Sequence, residues 1–153
     1  IEFVQKGKNA VSITGEKIYE SHIEPAVGRA AKQKGGIRNF CAVAMTGDAK
    51  ALPRYTFLIE FKGDPSAEEK RQFIISIEEE LRKENSEYDD LRKQQLIAFP
   101  SLKVIKQGEF DRFRRERVKQ GAHDTQFKMP KLAISSDFQN RFTVIEEITL
   151  SLP

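Results

Sequence analysis

The chain is poor in the residues that most often carry chemistry by themselves. It has one cysteine, Cys41, and two histidines, His22 and His123, in 153 residues. A lone cysteine makes no internal disulfide, and Cys41 lies in the apolar run FCAVAM. It therefore reads as an inert core thiol in a reducing, cytoplasmic setting. The histidines stand far apart, with no cysteine or carboxylate at metal-ligand spacing, so no metal ligands are expected here. There is no glycine-rich phosphate loop ending in Lys-Ser or Lys-Thr, no GxGxxG, and nothing specific to support a Ser-His-Asp triad. No apolar run approaches the ~18 residues that cross a bilayer, so no membrane partner is expected. These absences leave no self-contained catalytic centre.

What the chain does have is 39% hydrophobic and 32% charged residues, the balance of one soluble globular domain able to bury a core without disulfides or metal. It begins at Ile1 in a segment, IEFVQK, that already alternates like a strand, so a piece of something longer is expected. The charge is unevenly spread. Residues 64–90 carry ten acidic against four basic side chains, and residues 101–131 nine basic against four acidic. The second stretch offers a mild positive field to a phosphate-bearing partner, although a solvated helix face explains it as well.

Hydrophobic periodicity orders the elements. Residues 2–6 and 10–14 read as a hairpin about the KGKN turn. A helix follows through Ile23, Val27 and Ala30 to Gly35-Gly36, with a kink or late start expected at Pro25. IRNFCAVAM and RYTFLIEFK are strands, the second with Tyr55, Phe57, Ile59 and Phe61 on one face. Ser66 and Glu69 form a capping box ahead of a helix through Phe73, Ile77 and Leu81. A second helical stretch over 87–98, a strand LKVIK, a helix GEFDRFRRERVKQG, then KLAIS and an amphipathic tail complete the order. The expected class is α+β: a mainly antiparallel sheet with helices packed on it, in split β-α-β-β-α-β (ferredoxin-like) order, plus the N-terminal hairpin.

Lysines are the best candidates for chemistry, because a compact ammonium on a flexible stem suits oxygen anions as charge develops on them. Lys128 sits between Phe127 and Met129-Pro130, and Pro130 biases Met129 toward an extended backbone. Lys17 follows Thr14-Gly15-Glu16 where a strand passes into a helix, a place where backbone N–H groups and a cation can act together on an anion. Taken alone, each lysine reads first as an ordinary surface charge.

In register, these residues resemble a family. GEFDRFRRERVKQGAHDTQFKMPK is similar to the C-terminal signature of the auxin-responsive acyl-acid amido synthetases, the Gretchen Hagen family: Gly121-Ala122, then Gln126-Phe127-Lys128, then Pro130-Lys131. FVQKGKNAVSITGEKIYESHI resembles the segment after that family's interdomain hinge, with Ser12-Ile13 and Lys17 in register. The same segment is similar to the one that opens the C-terminal domain across the wider adenylate-forming superfamily. The resemblance spans nearly the whole chain and is silent on the substrate.

It implies that residues 1–153 are a single mobile C-terminal lid domain of a larger ligase whose partner is its own N-terminal adenylation domain. Such enzymes use ATP and magnesium, bound mainly by the N-terminal domain, to turn a small carboxylic acid into an acyl-adenylate. An amine, usually an amino acid, then gives an amide and AMP. The resemblance places Lys128 and Lys17 as the catalytic, phosphate-facing lysines, with Gln126, Phe127, Lys131, Thr14 and Gly15 near the nucleotide. Lys131 stands where Arg is commoner, which keeps the charge but loses bidentate geometry. Thr14-Gly15-Glu16 replaces the Asp-Thr-Asp of plant members, which points to a microbial relative. The isolated chain is expected to be inactive.

Two other readings stay open. The basic stretch and the Tyr55/Phe57/Phe61 face suit a ferredoxin-like nucleic-acid or nucleotide-binding module, though the strand lacks the Gly-aromatic alternation of an RNA-recognition motif and no nucleic-acid partner is expected. A small-molecule-binding regulatory domain is the third.

Overall fold

Ser66 closes the start of the longest helix as its sequence foretells. The Ser66 hydroxyl accepts the Glu69 N–H at 3.1 Å, and the Glu69 carboxylate accepts the Ser66 N–H at 2.7 Å. The computed structural model describes residues 10–11, 18–34, 36–47, 49–120, 129–133 and 136–150. In chain order the elements are β1 (Ala10–Val11), β2 (Ile18–Tyr19), α1 (Glu20–Lys34), β3 (Ile37–Met45), β4 (Arg54–Phe61), α2 (Ala67–Glu84), α3 (Ser86–Lys93), β5 (Ser101–Ile105), α4 (Glu109–Lys119), β6 (Leu132–Ala133), a 3-10 turn (Ser136–Arg141) and β7 (Val144–Thr149).

The α+β class stands, with helices on the sheet, but the sheet is mixed. Its order is β6-β3-β4-β5-β7, in which β3–β4 and β5–β7 pair antiparallel while β3–β6 and β4–β5 pair parallel. The reason lies in the connections. The α2–α3 pair carries the chain back to the end where β4 began, so β5 can only lie parallel beside it. The β-α-β-β-α-β order of elements is present, yet β1 pairs with β2 in a separate two-stranded ribbon (Ala10↔Tyr19, Val11↔Ile18). Of the expected N-terminal hairpin, residues 1–9 and 12–14 lie outside the described residues.

Helices cover both faces of the sheet. On one, Ile23, Val27 and Ala30 of α1 and Phe73, Ile77 and Leu81 of α2 bury Tyr55, Phe57, Ile59 and Phe61. On the other, Phe110 and Phe113 of α4, with Phe142, close over Cys41, Val43 and Leu58. The polar residues of β4 are consequently buried too. Glu60, wholly enclosed, accepts the Gly108 N–H at 2.9 Å and an Asn39 side-chain N–H at 3.2 Å, and Arg38 Nε lies 3.3 Å away. Gly108 caps α4 at φ 93°, a left-handed conformation that costs glycine nothing.

Three expectations shift locally. α1 starts at Glu20, ahead of Pro25, rather than late. The second helical stretch stops at Lys93, since Gln95 takes φ 59° and turns the chain. The amphipathic tail resolves into the 3-10 turn and the edge strand β7.

Candidate functional site

At the β6 edge of the sheet, two segments distant in sequence are tied together. The Tyr19 N–H donates to His22 Nδ1 at 3.0 Å, which closes the first turn of α1 as the third residue of a capping box would. His22 thus serves as a structural acceptor through Nδ1. Glu20 opens the helix, and its carboxylate accepts the backbone N–H of Lys131 at 2.9 Å. The Lys131 carbonyl in turn accepts the Ala42 N–H of β3 at 2.9 Å, and Leu132 and Ala133 continue as β6. Ile18 of β2 and Leu132 of β6 both belong to the core cluster on the α1–α2 face of the sheet.

Lys131 sets its ammonium 4.7 Å from the centre of the Phe40 ring, a cation–π contact on a half-buried side chain. Beneath it lies Cys41. Burial, then the charge of Glu20, pushes the Cys41 thiol up to about 12, against the opposing pull of Lys131. The expected inert thiol therefore sits under the seam as a small apolar group.

Of the residues singled out in the sequence, Lys131 is described. Thr14, Gly15 and Lys17, and Gln126, Phe127 and Lys128, lie outside the described residues, as does His123. Lys17 directly precedes Ile18 of β2, and Lys128 directly precedes Met129, which packs on the α4-side core. The strands and helix that follow the two lysine segments meet at the Glu20–Lys131 bond. Glu20 and Phe40 escaped the sequence reading. An acid in a first helical turn is a recognisable signal, but its partner, 111 residues away, is not.

The aromatic face behind the nucleic-acid reading is unavailable for stacking: Tyr55 and Phe57 are fully buried and Phe61 nearly so, beneath α1 and α2. Among the described residues no group of three or more His, Cys, Asp or Glu side chains is placed to hold a metal ion, and no helix is long and apolar enough to cross a membrane.

Comparison with known proteins gives a consistent result. Residues 21–137 match the family model "GH3 family C-terminal domain". The fold is similar to two solved structures, "GH3.15 acyl acid amido synthetase" and "AtGH3.15 acyl acid amido synthetase in complex with 2,4-DB". Each is 22% identical with a TM-score of 0.76, over 91% of this chain and 26% of the other. This chain thus spans about a quarter of the length of those proteins. No curated protein matches it by sequence.

Proposed function

This chain belongs to the GH3 family, as its C-terminal domain, and we propose that residues 1–153 form the mobile lid of an ATP-dependent acyl-acid amido synthetase. In the first half-reaction a small carboxylate attacks the α-phosphorus of ATP, forming an acyl-adenylate and expelling pyrophosphate. In the second, an amine, such as that of an amino acid, attacks the acyl carbon, forming the amide and releasing AMP. The nucleotide, its magnesium ion and the acyl pocket belong to an N-terminal adenylation domain, which is this domain's partner in a cytoplasmic enzyme. Magnesium, when bound by that domain, would supply charge neutralisation at the phosphates.

The part assigned to this domain is charge and position. In-line displacement at phosphorus is accelerated mainly by orienting the reactants and neutralising developing charge. Lys128 supplies that charge and Lys17 a second cation, with Gln126, Phe127, Thr14 and Gly15 beside the nucleotide and Lys131 adding to the positive field. A lysine carried on a mobile domain is withdrawn when the domain turns, so one site can run two reactions in succession. Because the acyl pocket is assigned to the N-terminal domain, this domain by itself is expected to be inactive.

The observation that supports this reading best is the Glu20–Lys131 bond, which holds together the two elements that the lysine segments lead into. The test is Lys128→Ala in the full-length protein, with the two half-reactions measured separately. ATP–pyrophosphate exchange should slow by about 10²–10³, the usual loss on removing one preorganised charge or donor. Amide formation from preformed acyl-adenylate should change little. Equal losses in both halves would refute the assignment of Lys128.

A further inference from the structure

The face of the sheet under α4 is apolar at one end and polar at the other. Phe110, Phe113 and Phe142 fill the first end over Leu58 and Ile105. Where β3 leaves the sheet and β4 and β5 enter it, the same face carries Thr56, Ser101 and Lys103. Register places them together: Thr56 pairs with Ser101, Ser101 with Thr149 and Lys103 with Glu147. With Arg54 and Gln139 they line a cleft of about 340 Å³. That lies at the lower end of small-molecule sites, about 300–1,000 Å³.

The cleft holds two cations beside a pair of buried hydroxyls. Thr56 Oγ1 and Ser101 Oγ lie 2.8 Å apart, and the two residues are 3% and 2% exposed. Two hydroxyls sharing one hydrogen bond leave one O–H proton without a protein acceptor among the described residues. Lys103 Nζ donates to a neutral group, the Gln139 side-chain oxygen, at 2.5 Å. Arg54, half-buried, makes no ion pair or side-chain hydrogen bond among the described residues. Among the described residues, Glu147 is the one carboxylate lining the cleft; it is exposed and forms no ion pair with either cation.

One wall is built in advance. A Cβ on Gly47 would lie 2.3 Å from the Ala51 carbonyl oxygen and 2.6 Å from Pro53 N, so the β3–β4 loop closes this tightly only on glycine. The Pro53 carbonyl, further along that loop, accepts the Ala98 N–H at 2.9 Å. A preformed recess with two cations lacking carboxylate partners and a spare buried hydroxyl proton selects a ligand that only accepts hydrogen bonds.

We infer that this cleft binds a small organic anion through a carboxylate or phosphate group, with Arg54 and Lys103 supplying charge and the Thr56–Ser101 pair a hydroxyl donor. The site is separate from the Glu20–Lys131 seam and independent of any role for Lys128.

The test is isothermal titration of the full-length protein with acetate and, in a second arm, inorganic phosphate; the arm that binds identifies the anion class. Arg54→Met and Lys103→Met should each weaken one saturable component at least tenfold, as expected for losing a charged hydrogen bond. Glu147→Gln should strengthen the same component, a gain that misfolding cannot imitate. Lys128→Ala should leave it unchanged. The proposal is overturned if neither arm shows saturable binding by about 10 mM, if the two Met variants bind like the parent, or if the component disappears with Lys128→Ala.

Discussion

The carboxylate of Glu20 accepts the backbone N–H of Lys131 at 2.9 Å, joining the start of α1 to the strand that completes one edge of the sheet. A hydrogen bond to a charged group contributes about 1.5–3 kcal/mol. Glu20→Ala should therefore destabilise the domain by about 1–2 kcal/mol, since water can reach part of this half-buried seam. Glu20→Gln keeps an acceptor oxygen and should cost less. Amide hydrogen exchange at Lys131 reports the bond directly. It should quicken in Glu20→Ala and stay slow in Glu20→Gln; unchanged exchange in the alanine variant would mean the bond does not form in solution.

Glu78 of α2 and Arg92 of α3 form an ion pair inside the protein, Nε to Oε2 at 2.6 Å, with both side chains almost fully buried. Tyr88 donates its O–H to the other Glu78 oxygen at 2.7 Å, and Arg92 also reaches the Ile97 carbonyl at 3.2 Å. Burial, ahead of the Glu78 charge, holds the Tyr88 phenol well above its ordinary range, so it remains a donor. Removing Arg92 leaves the buried Glu78 carboxylate with the more distant Arg82 guanidinium, at 3.8 Å, and the Tyr88 hydroxyl. Arg92→Met should cost about 3–5 kcal/mol, and combining it with Glu78→Gln should recover a large part of that loss. Urea denaturation of the single and double variants measures both.

Glu109, in the first turn of α4, accepts two hydrogen bonds from the Arg112 guanidinium at 3.0 Å and the Thr143 N–H at 2.7 Å. The Arg112 hydrogen bonds come first among the causes that lower the Glu109 carboxyl to about 2 from an ordinary 4.5. A depressed folded-state pKa stabilises above the unfolded value and ceases to do so below the folded one. Stability should therefore fall between about pH 4.5 and 2 in the parent. Glu109→Gln should lose this part of the acid limb. Thermal unfolding across that range is the measurement, and parallel curves for the two proteins would contradict the expectation.

Cys41 is fully buried and its thiol is pushed up to about 12, so almost none of it is thiolate at neutral pH. A thiol-specific disulfide reagent should leave the folded protein unmodified and label one thiol per chain once it is denatured. Rapid labelling of the native protein would place Cys41 elsewhere.

Local features were legible because their causes are local. The Ser66/Glu69 capping box, the Tyr55–Phe61 alternation and the α1 stripe of Ile23, Val27 and Ala30 each follow from spacing along one element. The Lys128 and Lys17 motifs were legible as order along the chain. Pairing was not legible: whether β5 lies parallel or antiparallel to β4 depends on where the α2–α3 connection returns the chain. The burial of Thr56 and Glu60 was missed for a related reason, since nothing in RYTFLIEF announces that a helix near residue 110 will cover its second face.

The sequence by itself determined the element types, the α+β class, the inert cysteine and the family resemblance, because periodicity, caps and motifs are properties of contiguous residues. Only the tertiary structure decided the mixed sheet, the Glu20–Lys131 bond, the Lys131 contact with Phe40 and the cleft at Arg54 and Lys103. Each of these joins side chains or strands that chain order leaves far apart. Their geometry is set by how the packed layers close, which no single segment specifies.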